Sequence, residues 1–219
     1  MGRPPNGDPA ATRRRILESA IEHFGRQGEE GAALRQIASD ADVSMSTVMH
    51  HFGDKRGLFE ACLDATYERV VALRQRFGEA LVGVVSPREA IGPIVRTALA
   101  FGFENQPFVR VVATAAVSSG HFPGHLIERL AEQSLDRLGT LIASMLGRSV
   151  GDVRLMAVTF NHIVSRFTLT APEELAGLVG VDGDGTNGAG GVDPRITGAL
   201  EDQLTRLLAA LIGVEPVAA

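Results

Sequence analysis

Cysteine is nearly absent from this 219-residue chain. Cys62 stands alone, which excludes an intrachain disulfide framework and a cysteine-based zinc site. Long apolar runs are absent too. Even the stretch 111–117 falls far short of the roughly 18 residues that span a bilayer. The first nine residues carry no apolar region of the kind that marks a secretory signal, so a reducing, cytoplasmic setting is the expectation. An excess of positive charge is missing: 21 basic against 26 acidic residues leave a net charge of −5, which argues against a polybasic coating protein. Local contact with nucleic acid stays open, because what matters there is where the basic groups sit. Catalytic signatures are missing as well. There is no Gly-x-Ser-x-Gly, no His-Glu-x-x-His and no dinucleotide-binding glycine pattern after a strand, so neither an enzyme nor a cofactor is expected. His121 and His125 have the i,i+4 spacing of metal ligands, but Pro123 and Gly124 between them argue against a shared helical face.

What is present is helical periodicity. With 45% apolar and 21% charged residues, the chain is of globular composition and long enough to bury a core unaided. Asp8 before Pro9 fits the start of a first helix, whose face is Ile16, Leu17, Ala20, Ile21 and Phe24. Glycines over residues 25–31 are expected to break it. Residues 34–52 then form two short helices. Leu34, Ile37, Ala38 and Ala41 line the first, Asp42, Val43 and Ser44 make the turn, and Ser44 caps the second. Val48 and Phe52 face inward from that second helix. Its outward residues, Met45, Ser46, Thr47, Met49 and His50, carry no Glu or Lys. A plain solvated face is usually more charged, so this spacing and chemistry favour a helix that reads DNA over an ordinary helical hairpin. Lys55, the only lysine, falls in the first turn of a long helix running to about residue 81. A cation there opposes the helix dipole, but with free backbone N–H groups it makes a seat for phosphate.

Beyond residue 57 the pattern is a larger helical body. Ser86, Pro87 and Glu89 form a capping box, Pro107 opens a further helix, and helices are expected over 123–146 and 152–170. Residues 177–192 hold seven glycines and read as a mobile loop. The last helix opens at Asp193 and Pro194. Its narrow stripe of Ile196, Leu200, Leu204, Leu207, Leu208 and Leu211 is expected to join the 152–170 helix in a four-helix interface with a second copy. Candidate walls of a ligand site are Tyr67, Phe101, Phe103, Phe108, Phe160 and Phe167, with Asn105, Arg110 and Asn161 as polar members. Such walls suit a mostly apolar ligand.

The ordered set Arg15-Ile16-Leu17, Phe24, Gly28, Leu34-Arg35-Gln36-Ile37-Ala38, Ala41-Asp42-Val43-Ser44, Ser46-Thr47-Val48, His51-Phe52-Gly53-Asp54-Lys55 and Leu58-Phe59 resembles the TetR family of bacterial transcription regulators. The resemblance covers about a quarter of the chain. It implies an all-α fold with a three-helix, helix-turn-helix DNA-binding domain and a larger C-terminal domain for ligand binding and dimerisation. The boundaries expected are an arm over 1–11, the DNA-binding domain over 12–56 and the body over 57–219. It also implies a homodimeric repressor that leaves a pseudo-palindromic operator when a small molecule binds. On that reading Ser44, Ser46, Thr47, Met49 and His50 face the major groove, and Arg13, Arg35, His51 and Lys55 hold phosphates. Three positions depart from the family's habit: Met49 replaces a usual tyrosine, Ala33 a capping threonine, and Asp42 a turn glycine that Asp can mimic at modest cost. The alternative is a helical ligand-binding or interaction protein whose DNA-reading function is lost.

Overall fold

The structure, a computed structural model, describes residues 8–119 and 136–214. The expected start of a helix at 123, and with it His121 and His125, lies outside the described residues. Among the described residues there are ten helices and no strand beyond one isolated bridge, Thr186 to Val192. In chain order they are α1 (Pro9–Gly31), α2 (Leu34–Asp40), α3 (Met45–Phe52), α4 (Lys55–Ala80), α5 (Pro87–Glu104), α6 (Gln106–Ser119), α7 (Asp136–Leu146), α8 (Val150–Thr168), α9 (Pro172–Val179) and α10 (Pro194–Ile212). No described helix is long and apolar enough to cross a membrane.

The chain divides into two compact units, Met1–Val70 with Pro107–Arg129, and Val71–Gln106 with Leu130–Ala219. The first unit therefore exceeds the 12–56 boundaries expected for the DNA-binding domain, because it also recruits α6. Its core is Ile16, Ala20, Ile21 and Phe24 from α1, Ile37 from α2, Val48 from α3, Leu58, Phe59, Cys62 and Leu63 from α4, and Val111 from α6. Phe24 and Phe59 meet edge to face at 5.1 Å. Gly25 does not break α1. Instead it lets α6 approach, since a Cβ there would meet the Pro107 carbonyl at 3.3 Å and Arg110 Cβ at 3.4 Å. Thr114 closes the contact by donating to the Gly25 carbonyl at 3.1 Å. The expected interruption comes only at Gly28, with φ 70°.

The second unit packs α5 against both α8 and α10. Ile91, Val95 and Leu99 of α5 meet Phe160 and Val164 of α8, and Ile196, Leu200, Leu204 and Leu208 of α10. Four residues of the stripe expected to join a second copy, Ile196, Leu200, Leu204 and Leu208, are thus buried within its own unit, while Leu207 and Leu211 are half-buried. A monomer's core takes up such a stripe as readily as a dimer does, so periodicity alone did not choose between them. The expected loop over 177–192 begins instead as helix α9. Pro172 at its start and Glu173 and Glu174 in its first turn favour that helix. The remaining loop is tied down. Asp184 Oδ1 accepts from Thr186 N and Oγ1, Asn187 Oδ1 accepts from Ala189 N and Gly191 N, and Asp193 N donates to the Gly185 carbonyl at 2.9 Å.

Two outcomes follow from this packing. A Cβ at Gly102 of α5 would lie 2.5 Å from Thr168 Cγ2 of α8. Gly102→Ala is expected to cost about 1–3 kcal/mol in urea unfolding, with about half recovered by adding Thr168→Ala. Burial pushes the Cys62 thiol up to about 12, with the charge of Arg13 opposing. A thiol reagent at pH 8 is expected to label the chain only as fast as it unfolds, and rapid stoichiometric labelling of the folded protein would contradict this.

Candidate nucleic-acid interface

The second helix of the N-terminal pair is aimed by its own residues. Val48 sits in the core at 1% exposure, while Met45 and Met49 are 38% and 41% exposed. At helical spacing a buried Val48 turns Ser46, Met49 and His50 outward, and all three are exposed. Ser44 caps the helix by accepting the Thr47 backbone N–H at 3.1 Å. Gly53 ends it with φ 78°, donating its N–H to the Met49 carbonyl. Phe52 is half-buried at the last turn, with the Arg13 guanidinium 5.2 Å from its ring centre.

Helix α2 holds α3 in place. Ser19 of α1 donates to the Ile37 carbonyl at 3.0 Å, and His23 Nε2 lies 2.7 Å from Asp40 Oδ2. Ala33 gives α2 no side-chain cap. Between the helices Asp42 adopts φ 52°, the only non-glycine with positive φ among the described residues. Its N–H donates to the Ser39 carbonyl and that of Val43 to the Ala38 carbonyl. Asp42 thus does the work of a turn glycine at an angle few L-residues tolerate.

The basic residues divide by what they already hold. Arg35 is exposed on α2, and Arg13 is exposed beside Phe52. Arg15 lies 3.9 Å from Asp42. Arg56 is engaged by Glu60 at 2.9 Å and Glu29 at 3.2 Å, which raises its pKa, the Glu60 hydrogen bond first. Lys55 Nζ donates to the Glu30 carbonyl at 2.7 Å. In this structure its ammonium ties the start of α4 to the end of α1, leaving two N–H groups for a phosphate. His51 is half-buried, its ring 6.1 Å from that of Phe52, while His50 is exposed. The surface of α3 therefore carries no Asp, Glu, Lys or Arg, while the exposed Arg13 and Arg35 lie on other elements, a division suited to base edges and phosphates respectively.

Sequence reasoning missed two links here: the His23–Asp40 contact and the Arg13–Phe52 stack. Both join residues far apart in the chain, so no local pattern announces them. It also missed a cleft of about 450 Å³ in the first unit, lined by Arg15, Glu22, His23, Asp40 and Phe108 among others.

The candidate ligand residues are distributed over the two units. Tyr67, Phe108 and Arg110 belong to the first unit, where Tyr67 is buried and Phe108 lies under the Arg69 guanidinium at 4.3 Å. Phe101, Phe103, Asn105, Phe160, Asn161 and Phe167 belong to the second. Phe160 is in its core, Phe103 and Phe167 pack against that core half-buried, and Asn105 is buried with Nδ2 donating to the Phe101 carbonyl at 2.8 Å. Asn161 is exposed.

A capped, uncharged helix held on a second helix by a tight turn defines a helix-turn-helix DNA-binding domain. Residues 16–62 match the family model described as "Bacterial regulatory proteins, tetR family". This stretch is therefore similar to the DNA-binding domain of that family, and the relatives that share it are named as transcriptional regulators. It is 54% identical over 56 residues to the HTH-type transcriptional regulatory protein RaaS of Mycobacterium tuberculosis, a match covering 26% of each chain. It is 37% identical over 76 residues to the HTH-type transcriptional repressor Rv1474c of the same organism, covering 35% of this chain and 40% of that one. The matched stretch thus spans well under half the length of these curated relatives. Over the whole chain the fold is shared with a TetR-like transcriptional regulator from Rhodococcus sp. RHA1, with TM-score 0.59 and 20% identity, covering 96% of this chain and 97% of that one.

The turn is open to a direct test. Asp42→Ala is expected to lower stability by about 1 kcal/mol in urea unfolding, whereas Asp42→Gly is at least neutral, because only glycine adopts this φ without steric cost. Equal losses in both variants would remove the backbone explanation.

Proposed function

We propose that the chain is a homodimeric repressor that binds a pseudo-palindromic operator through α3 and is released by a mostly apolar small molecule. The observation that carries this reading is the α3 surface, where Ser46, Met49 and His50 stand exposed and uncharged over a buried Val48. A single such helix reads only a few base pairs, and a two-fold pair reads two half-sites. Ser46 and Thr47 can meet several base edges, and the methyl groups of Thr47 and Met49 suit the thymine methyl. Arg13 and Arg35 hold phosphates, and Lys55 does so with the N–H groups that Glu30 leaves free.

Dimerisation is assigned to the outward sides of α8 and α10. With the main stripe of α10 buried in its own unit, what remains for a partner is Leu155 and Val158 of α8, 69% and 46% exposed, and the half-buried Leu207 and Leu211 of α10. The effector is assigned to the helical body after residue 57. Release requires only that the effector bind the DNA-incompetent arrangement better, with a coupling of about 1–3 kcal/mol. Helix α4 is continuous from Lys55 to Ala80 and contributes to both units, so it is the covalent path along which such coupling can pass.

The test is selection of bound duplexes from random and genomic DNA with the full chain. A recurring inverted repeat is expected, and retention of duplexes by charge alone would replace this reading with a helical binding protein whose DNA function is lost. On the selected duplex, Arg35→Ala is expected to weaken all sequences alike and lower the salt slope by about one for each phosphate contact removed. Met49→Ala is expected to leave the salt slope unchanged and to flatten the preference at one base pair by about 1 kcal/mol. The opposite pattern in a salt titration would exchange the two roles.

A further inference from the structure

The head of α3 carries three hydroxyls in one chain of hydrogen bonds. Ser44 Oγ lies 2.7 Å from Ser46 Oγ and 2.8 Å from Thr47 Oγ1, and it also accepts the Thr47 backbone N–H at 3.1 Å. A hydroxyl has one proton to donate and two lone pairs to accept with. The backbone N–H takes one lone pair of Ser44. A single acceptor position is left, so Ser46 and Thr47 cannot both donate to Ser44. One of them donates to Ser44, and Ser44 gives its own proton to the other.

Three protons and two internal bonds leave one free proton. When Ser46 donates to Ser44 and Ser44 to Thr47, Thr47 offers a donor outward and Ser46 only lone pairs. In the reverse arrangement Ser46 is the donor and Thr47 the acceptor. We infer that Ser44 is a positioning residue for DNA specificity: it locks the Ser46 and Thr47 hydroxyls into opposite polarity, so that the base edges they read must supply one acceptor and one donor. Ser44 itself touches no base in this role, which differs from the direct contact that its place at the head of the helix suggests. The inference rests on the proposed reading of DNA by α3.

Duplexes are selected from a random library with the full-length protein. The base pairs concerned are those whose preference is flattened by Ser46→Ala and by Thr47→Val. Affinity is then measured for four versions of the selected duplex, with cytosine or thymine at each of the two positions. In the major groove cytosine presents only an amino donor and thymine the O4 acceptor. The product of affinities for the two mixed duplexes is expected to exceed that for the two like duplexes by about tenfold. Ser44→Asp keeps the cap but has no proton to give, so both hydroxyls donate inward and present lone pairs outward. In that variant the cytosine–cytosine duplex is expected to rise above the mixed pair, whatever the overall affinity. Ser44→Thr is expected to restore the original order.

Independent preferences in the unmodified protein would overturn the inference while sequence-specific binding stands. So would an unchanged order in Ser44→Asp, or a failure of either truncation to flatten any position. Absence of any selected sequence would overturn the inference and the regulatory reading together.

Discussion

The burial of Val48 is the constraint on which the rest depends. One isopropyl group in the core formed by α1, α2 and α4 fixes the rotation of an eight-residue helix that has little else to hold it. So short a helix is unstable alone, since nucleation costs more than a few hydrogen bonds return. Tertiary packing on one side and the Ser44 cap at its start replace that missing intrinsic stability. Everything outward of Val48 follows from this rotation: the exposure of Ser46, Met49 and His50, the neutral surface, and the flanking arginines on neighbouring elements.

Charge is handled in the same economical way. The N-terminal region is not strongly basic, and several of its cations already have protein partners. Arg56 is neutralised by two glutamates, and Lys55 shares its ammonium with a main-chain carbonyl. Other cations, Arg13 and Arg14 on α1 and Arg35 on α2, are exposed, and none lies on α3. On the proposed reading, selectivity for a sequence is thereby separated from the attraction to phosphate that every duplex shares.

Much of the N-terminal fold was legible because its signals are local. The Asp8 and Ser44 caps, the inward Val48 and the tolerance of Asp42 for a turn glycine's conformation all follow from residues within four positions of one another. The Ser86 and Asp193 helix starts were legible for the same reason. What failed were inferences that depend on partners distant in the chain. Gly25 looked like a breaker but is a contact point for α6. The α10 stripe gave no sign that four of its residues meet α5 of the same chain. The glycines after residue 177 hid a helix start at Pro172 and a loop tied by Asp184 and Asn187. The candidate site divides along the same line: the α3 surface was readable from spacing, whereas the ligand residues were chosen by type alone and are distributed over both units.

Val111 completes the core of the first unit from a stretch that begins at Pro107, far along the chain from α1–α3. The reading head is consequently not a cassette that can be cut at the end of the family-matched region. A chimaera that moved only the first sixty-odd residues onto a foreign body would arrive with a gap in its interior where Val111 had been. Recombination that swaps operator preference between such regulators has to carry both stretches, or find a new side chain to plug the hole.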